Sequence, residues 1–464
     1  MSELGSGLVK RKEKLLHKYL SGNAMDYKQV FAILIPIFVD QAFIVIMSII
    51  NTAMISSSGV AAISAVSMVD SLNMFIISLF IAVATGGTVI VAQYKGSGNP
   101  QKVSEAAAQS ILAVSVISIV VSILVIIFHQ PLLQILFGKA EAEVFRNAEI
   151  YLVGIAISFP FFAVYQAIVG ALRGVAETRA SLMLSVIMNL TAVLLNVIFI
   201  VGFKMGIMGL VISIIASRVI GVAVSLLYLI KFNQTLRFRM KHALRVNVEL
   251  LKKIMYIGVP FAAEQLFFNG GKLLTQTFIV QLGTFAITAN AIGNSISLLY
   301  QIGGMALSVG IVTVVGQCIG SRNVADAKKF IYSFLGLGGI LFLIATAIIL
   351  PLYPVIVSFY SPPPQIIPEI FQLVLLITIA QPFLWCVSFV LPSALRSAGD
   401  SKYTSVVSLM TMWILRIGLG YVLGITLGYG LMGIWIAMVT EWAARGAFFL
   451  WRLRGDKWYK HKLI

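Results

Sequence analysis

The sequence predicts an all-α polytopic membrane protein with twelve transmembrane helices in two pseudo-symmetric six-helix lobes. Composition is the first reason, because 59% of the 464 residues are hydrophobic and only 11% are charged, unlike any typical soluble domain. An internal repeat and a regular alternation of basic loops are the second and third reasons. Together they indicate a chain that crosses a bilayer many times and whose two halves share one plan.

The chain repeats itself at a distance of 224 residues. Residues 59–99 align without a gap with residues 283–323, and 12 of the 41 positions are identical. The same offset aligns three pairs inside apolar segments, which are Pro36 with Pro260, Asp40 with Glu264, and Gln41 with Gln265. So long a period is typical of transporters built from two bundles, in which the binding site lies where the bundles meet.

Twelve apolar segments are long enough to cross a membrane as helices, since a crossing needs roughly 20 apolar residues. The predicted spans are 28–52, 61–94, 103–128, 142–172, 179–203, 206–232, 248–281, 284–319, 324–350, 367–395, 402–427 and 430–455. Several spans are longer than the bilayer requires, so we expect them to tilt or to project beyond it.

Lys and Arg alternate between the loops and thereby predict the orientation of the chain. They concentrate in both tails and in the even-numbered loops, whereas the odd loops contain only Lys139, Arg146 and Lys204. Because cytoplasmic loops are rich in Lys and Arg, both termini and all even loops are predicted to be cytoplasmic. The net charge of +17 therefore reflects membrane orientation, and we expect no nucleic-acid partner.

Domain boundaries follow from the repeat and the loops. We expect a basic cytoplasmic tail at 1–27, an N-terminal lobe at 28–232, a cytoplasmic linker at 233–247, a C-terminal lobe at 248–455 and a cytoplasmic tail at 456–464. The first tail has no apolar core and does not resemble a cleavable signal peptide. Cys318 and Cys386 fall inside spans, where we expect packing rather than a disulfide.

No motif indicates catalysis. The Gly-x-x-x-x-Gly-Lys-Ser/Thr phosphate loop is absent, and the four histidines are too widely scattered for a metal site. We therefore expect no enzymatic activity, no cofactor and no bound metal.

Eight ionisable residues stand out at membrane depth inside the predicted spans, where each needs a partner, a hydrated cavity or a function. They are four acids and four bases, namely Asp40, Asp70, Glu264, Glu441, Arg218, Lys272, Arg416 and Arg445. This balance predicts internal pairing. Arg416 and Glu441 lie at equal estimated depth in the C-terminal half, and we interpret them as an ion pair that stabilises the bundle.

Asp40 and Glu264 are the strongest candidates for ion coupling. Each follows a membrane-embedded proline, Pro36 or Pro260, by about one helical turn. A proline weakens the helix at a place where a hinge is useful. A carboxyl in a cavity of low dielectric constant can bind a proton or cation in one conformation and release it in another.

Further side chains in these spans are candidates for the wall of a substrate cavity. Together with Asp70 and Lys272 they are Gln41, Met47, Asn51, Met68, Asn189, Gln265, Asn269 and Asn294. Taken singly, such residues more often form interhelical hydrogen bonds or simple packing contacts.

Several motifs carry a resemblance to a known family. They are Pro36-x-x-x-Asp40, Asn51-Thr-Ala-Met-Ile with the following Gly59-Val-Ala-Ala-Ile-Ser-Ala-Val66, Val91-Ala-Gln93, and Ala171-Leu-Arg173-Gly174. The chain resembles the multidrug and toxic compound extrusion (MATE) family over nearly its whole length, and its DinF-like branch in particular. The resemblance implies two lobes around a central cavity and export of amphipathic, mostly cationic, organic compounds and drugs in exchange for protons or Na⁺.

The resemblance also implies roles for particular residues. Asp40 matches the first-span acid that such transporters protonate, and Asn196 matches a fifth-span Asn in the same lobe. The family often has Asp four residues after this Asn, where this chain has Ile200. Glu264 resembles the seventh-span acid of the NorM branch, but that branch's tenth-span acid is missing here. Neither sodium site is complete, so we expect H⁺ as the coupling ion and keep Na⁺ as the alternative.

Other functions fit the pattern less well. A flippase for lipid-linked precursors, from the same wider superfamily, is the main alternative and requires a more cationic cavity for phosphate. A major facilitator usually has Gly-x-x-x-Asp-Arg after its second span, where this chain has Gln93-Tyr-Lys-Gly-Ser-Gly-Asn99. A channel or a purely structural membrane protein is the least suitable interpretation, because two halves with matched acids beside hinge prolines fit alternating access better. We further expect a small-molecule substrate, a lipid bilayer as surroundings, and a monomer in a bacterial cell membrane.

Overall fold

The computed structural model describes residues 13–14, 16–56, 60–138, 141–236, 238–239, 242 and 245–464. Gly59, which begins the first copy of the repeat, and residues 1–12 and 15 of the basic N-terminal tail lie outside these residues, as does part of the predicted linker. Long helices make up almost all of the described chain and confirm the all-α class.

Twelve long helices follow one another along the described residues. The first six are α1 (Tyr27–Ser56), α2 (Val60–Gly96), α3 (Pro100–Phe137), α4 (Ala142–Gly174), α5 (Thr178–Asn196) and α6 (Gly206–Leu227). The second six are α7 (Val248–Gln281), α8 (Thr284–Gly320), α9 (Val324–Ser358), α10 (Ile367–Ser397), α11 (Ser401–Thr411) and α12 (Gly430–Arg454). Three of them continue as π-helix, α5 over Val197–Gly202, α6 over Tyr228–Phe232, and α11 over Met412–Leu419 and Val422–Thr426.

The repeat is visible in how helices begin. The Asn99 side chain accepts a hydrogen bond from the Lys102 backbone at the start of α3, and the Asn323 side chain accepts one from the Asp326 backbone at the start of α9. Each asparagine satisfies a backbone donor that a helix terminus otherwise leaves free. The identical Asn at this repeat position is therefore a helix cap in both copies.

Ten of the helices in the described residues are long and apolar enough to cross a membrane by length and composition. Among the twelve helices, α7 and α12 are the two that do not meet this test. Both carry ionisable residues at depth, Glu264 and Lys272 in α7 and Glu441 and Arg445 in α12. The chain is a multi-pass membrane protein, and α7 and α12 each place two ionisable residues at this depth.

The contacts divide the chain into two units that are not simply its two halves. The N-terminal unit is Val39–Gln265, and the C-terminal unit combines Met1–Phe38 with Leu266–Ile464. The repeat and the loops place boundaries at 232 and 248 instead. The difference concerns the first parts of α1 and α7, and each helix changes unit shortly after its proline, Pro36 or Pro260.

Glycines allow these first parts to pack closely within each unit. In the N-terminal unit, a Cβ on Gly86 of α2 would lie 2.5 Å from the Ile254 carbonyl oxygen of α7. In the C-terminal unit, a Cβ on Gly310 of α8 would lie 2.5 Å from Leu34 of α1. Small residues let membrane helices approach backbone to backbone, which is the main source of their packing energy.

The buried Gln109 side chain of α3 holds the end of the linker. Its amide nitrogen donates to the backbone oxygens of His242 (2.8 Å) and Arg245 (2.7 Å), and its oxygen accepts from the Asn247 backbone (3.0 Å). A polar residue inside α3 thus fixes the entry of α7. The predicted roles of the two cysteines agree with the structure, in which both are buried free thiols.

We predict that Gly86→Ala destabilises the protein by about 1–3 kcal/mol, because the added methyl group meets a carbonyl oxygen that cannot rotate away. The matched control is Gly336→Ala on α9, where a Cβ meets no atom within 4 Å. The control should keep or raise stability by up to about 1 kcal/mol, since Ala is the better helix former. Thermal unfolding in detergent measures both. Equal midpoints for the two variants would contradict the close α2–α7 contact.

Candidate functional site

Asp40 forms a buried ion pair in the N-terminal unit. Its Oδ2 atom lies 2.7 Å from Nη2 of Arg173, which donates to it from the end of α4. Asp40 is only 1% exposed, and its other oxygen, Oδ1, accepts no hydrogen bond from the described residues. One carboxylate oxygen is therefore neutralised by arginine, while the other is buried and has an unused lone pair.

Arg173 was not predicted as a site residue, because the apolar pattern places it in a cytoplasmic loop. The structure extends α4 to Gly174 and brings Arg173 back to the first helix. Its Nε atom also donates to the Ser181 hydroxyl of α5 at 3.0 Å. The motif Ala171-Leu-Arg173-Gly174 was the available signal, and it recurs in α10 as Ala394-Leu-Arg396-Ser397 with a buried arginine.

Asn196 and Asn51 meet in the N-terminal unit, where both were predicted as site residues. The Asn196 amide donates to the Asn51 side-chain oxygen at 3.2 Å, and Oδ1 of Asn196 is buried without a hydrogen-bond partner among the described residues. Asn189, about two turns earlier on α5, instead donates to the Ser185 backbone oxygen of its own helix at 2.8 Å. The Asn189 amide nitrogen therefore bonds within α5 and not to Asn51.

Asp70 belongs to a second polar group of the same unit. The Tyr151 hydroxyl of α4 donates to Asp70 Oδ1 at 3.1 Å. Arg218 of α6 is close enough for its charge to act on Asp70, but its own hydrogen bond goes to Ser158 at 2.7 Å. The Arg218 guanidinium lies 4.7 Å from the centre of the Phe162 ring. This group holds α2, α4 and α6 together.

The remaining predicted residues differ in exposure. In the N-terminal unit, Glu264 and Met47 are buried, whereas Gln41, Met68 and Gln265 are half-buried. In the C-terminal unit, Asn269 is half-buried, and Lys272 and Asn294 are exposed. The contacts therefore group Glu264 with Asp40 in one unit, although the repeat assigns it to the C-terminal lobe.

The C-terminal unit contains a second cluster of charges. Glu441 is fully buried, and its carboxylate lies 3.0 Å from Arg445 Nη1 and 3.8 Å from Arg416 Nη1. The predicted pairing of Arg416 with Glu441 is therefore confirmed. Sequence reasoning treated this as one acid with one base, but two arginines share the carboxylate, and the charge of Lys272 acts on the same group.

Comparisons with known proteins agree with this architecture. The family model described as MatE matches residues 36–198 and 260–422, two segments that begin 224 residues apart. The chain is 27% identical over 440 residues to the uncharacterized transporter YisQ of Bacillus subtilis, covering 92% of this chain and 94% of the relative. It is 25% identical over 451 residues to the probable multidrug resistance protein NorM of Thermotoga maritima, with 94% of each chain covered.

Solved structures share the fold. An outward-facing multidrug resistance MATE family transporter of the MOP superfamily superposes with a TM-score of 0.84 at 17% identity, over 92% of this chain and 95% of that one. A MOP superfamily transporter from Pyrococcus furiosus, described as having a binding pocket of reverse polarity, gives 0.85 at 17% identity over the same shares. At this identity the likeness concerns the fold alone.

We predict that Arg173→Met destabilises the protein by about 3–5 kcal/mol, because it leaves the Asp40 carboxylate buried without a counter-ion. The double variant Asp40→Asn/Arg173→Met should recover most of this loss, since it removes both charges. Thermal unfolding in detergent gives the double-mutant cycle. Losses that simply add would contradict a direct pair. Lys253→Met is the control, because its partner Glu249 is 77% exposed and the loss there should stay below about 1 kcal/mol.

Glu441→Gln should destabilise the C-terminal unit by about 3–5 kcal/mol, since it removes the buried carboxylate that Arg445 and the partly buried Arg416 share. Glu249→Gln, the same substitution at an exposed pair, should change stability by less than about 1 kcal/mol. The comparison uses the unfolding midpoint of each purified protein. Equal small effects at both positions would show that Glu441 does not compensate the arginines.

Proposed function

Because the chain belongs to the MATE family of multidrug efflux transporters, we propose that it is a secondary active antiporter that exports amphipathic organic compounds in exchange for protons by alternating access. The family supports compound export and transport rather than catalysis. Proton coupling and the substrate class are the specific parts of the proposal.

The observation that carries proton coupling is the state of Asp40. Its carboxylate has one oxygen paired with Arg173 and one buried oxygen with no partner among the described residues. A proton can take the unused oxygen and remove the negative charge that holds Arg173. Binding or release of one proton would therefore break or form an ion pair between α1 and α4.

A proton fits this environment better than Na⁺. Sodium needs several oxygen ligands, and it would have to enter beside the fixed positive charge of Arg173, 2.7 Å from the carboxylate. A proton needs a single oxygen and leaves the carboxyl neutral. Arg173 thus favours H⁺ as the coupling ion, and Na⁺ is the alternative that the transport assay tests.

Pro36 connects this chemistry to motion. It lies one turn before Asp40 in α1, shortly before the helix passes from the C-terminal unit to the N-terminal unit. A proline within a helix removes a backbone hydrogen bond and is a common place for a bend. Making or breaking the Asp40–Arg173 pair would therefore change which bend of α1 is favoured at Pro36.

Glu264 and Asn196 complete the proposed coupling residues. Glu264 is buried and follows Pro260 in the same way that Asp40 follows Pro36. Asn196 contributes a buried amide oxygen with no partner among the described residues. We propose that Glu264 is a second protonatable site. We also propose that the hydrogen bond from Asn196 to Asn51 changes with the protonation state of the N-terminal unit.

The wider setting follows from the loop charges. We propose that both termini lie in the cytoplasm, because Lys and Arg concentrate in the loops of that side. We further propose that the protein works as a monomer in a bacterial cell membrane. We propose that the candidate cavity residues already described contact the substrate, each within its own unit. The family resemblance favours cationic compounds, whereas the basic groups of the C-terminal unit favour acids, so transport should be measured with both.

A lipid-linked precursor flippase is the second candidate. The observation in its favour is the local excess of basic side chains around Glu441, which suits a phosphate headgroup. A flippase of this kind would move a fluorescent lipid phosphate between leaflets of a liposome. Translocation of that lipid without export of any small amphipathic dye would favour this candidate over the drug antiporter.

We predict that Asp40→Asn abolishes proton-driven export from liposomes, because the amide mimics a permanently protonated carboxyl. The assay imposes a proton gradient and a sodium gradient separately and follows one cationic and one anionic dye. Asp456→Asn is the matched control, since Asp456 is 59% exposed and its variant should transport like the wild type.

Each outcome of this assay has a clear meaning. Wild-type export by Asp40→Asn would remove the proposed role of Asp40. Export driven by the sodium gradient alone would replace H⁺ with Na⁺. Glu264→Gln is measured in parallel, and a complete loss there with normal export by Asp40→Asn would move the coupling site to α7.

A further inference from the structure

Positive charge is in local excess inside the C-terminal unit. The basic cluster, defined as Lys272, Arg416 and Arg445 with the single acid Glu441, has three bases for one carboxylate. The balance of four acids and four bases in the sequence hides this, because the acids Asp40, Asp70 and Glu264 all belong to the N-terminal unit. Charges without compensation at membrane depth are costly and point to a function.

The basic cluster is not part of the repeated plan. At the 224-residue offset, its four members correspond to Ser48, Ala192, Ser217 and Gly221 in the first half, none of which is ionisable. The N-terminal copy therefore folds without these charges. Their presence in one copy alone indicates a specialised role rather than a requirement of the bundle.

The three bases converge on one aromatic ring. Lys272 Nζ lies 4.9 Å from the centre of the Phe268 ring, and the guanidinium carbons of Arg445 and Arg416 lie 5.6 Å and 5.8 Å from it. Arg445 also lies 4.2 Å from the centre of the Phe389 ring. The rings hold the like charges together through cation–π attraction and provide an apolar surface beside them.

Hydrogen-bonding capacity remains unused at this place. Arg445 is 2% exposed. Its Nη2 atom and the Nε atom of Arg416 are both buried and have no hydrogen-bond partner among the described residues. Nε of Arg445 is fixed by the Ser388 hydroxyl at 2.7 Å. Lys272 forms no ion pair within the described chain, and its side chain is exposed. Buried donors are therefore fixed in place next to a cation that a ligand can reach.

The backbone explains how these side chains meet. Arg416 lies in the π-helical part of α11, Met412–Leu419, and such irregular turns are frequent at functional sites. A Cβ on Gly271 of α7 would lie 2.6 Å from Met412, so α7 and α11 approach closely beside Lys272. A Cβ on Gly446 would lie 2.7 Å from Val387, which sets α12 against α10 beside Arg445.

We propose that the basic cluster binds the acidic headgroup of an amphipathic organic anion, with Phe268 and Phe389 contacting its apolar part. A carboxylate, sulfonate or phosphate would supply the negative charge that Glu441 alone does not, and would accept hydrogen bonds from Lys272 and the arginines. An organic cation would meet a net positive charge here. This names the substrate class of the proposed exporter and so rests on that function.

The experiment compares three ligands that differ only in the head group, 4-(1-pyrenyl)butyrate, the corresponding butylamine and the corresponding butanol. Binding to the purified full chain in detergent is followed by energy transfer from tryptophan to pyrene, with protein-free micelles as the blank. Trp442 packs against Phe389 at 6.1 Å between ring centres and serves as a donor next to the site. We expect the butyrate to bind about tenfold more tightly than the amine or alcohol, because one charge-assisted hydrogen bond contributes about this factor in affinity.

Matched variants assign the effect to the basic cluster. Lys272→Met should weaken butyrate binding about tenfold and leave the alcohol unchanged, and Lys272→Arg should restore the wild-type value. Lys252→Met, the same substitution at an exposed position of the same helix, should bind like the wild type. Circular dichroism and gel filtration confirm that each variant is folded.

Two results would overturn the proposal. One is an amine that binds as tightly as the butyrate, and the other is a Lys272→Met variant with unchanged butyrate affinity. Competition then identifies the source of the acid. Displacement by a diacyl phosphatidic acid supports a lipid phosphate, and displacement by naphthoate without the lipid supports a soluble carboxylate.

The binding test is independent of the coupling test. It uses no ion gradient and measures no transport, so its result does not depend on which ion drives export. Failure of export in Asp40→Asn with normal butyrate binding would separate the two sites. The anion site and the proton site can therefore fail one at a time.

Discussion

The structure depends on how charged side chains are compensated inside a bundle of membrane helices. A carboxylate removed from water requires a counter-ion or a proton, and each unit meets this need in its own way. In the N-terminal unit, Asp40 lies against Arg173 in a one-to-one pair. In the C-terminal unit, Glu441 is shared by two arginines, and a third base is close by. The first arrangement is neutral and can respond to a proton, while the second retains positive charge.

Small residues and prolines make this compensation possible. Charged side chains meet only where helices approach closely, and Gly271 and Gly446 provide that approach around the basic cluster. The helices α1 and α7 change unit shortly after Pro36 and Pro260, and each has its acid just beyond a point of weakened backbone hydrogen bonding. The acids and the places where the helices can bend are therefore linked in the same stretch of chain.

The two clusters suggest a division of labour between the copies of the repeat. The N-terminal unit contains the proposed proton sites Asp40 and Glu264, and the C-terminal copy of the repeat carries the basic cluster, whose equivalent positions in the first copy are not ionisable. Proton binding at one unit and acid binding at the other would then be chemically separate events.

The sequence by itself determined the all-α class, the twelve helices and the 224-residue repeat, and it identified Asp40 as a candidate coupling residue, because apolar length, proline position and isolated charges are properties of the local chain. It also predicted the Arg416–Glu441 pair from depth along the helices. Only the tertiary structure decided that Arg173 reaches Asp40, that α1 and α7 are each divided between units, and that Arg445 and Lys272 join Arg416. These facts depend on helix rotation and on contacts between distant segments. A local sequence pattern indicates how deep a residue lies along the helix axis, but not which neighbouring helix its side chain faces.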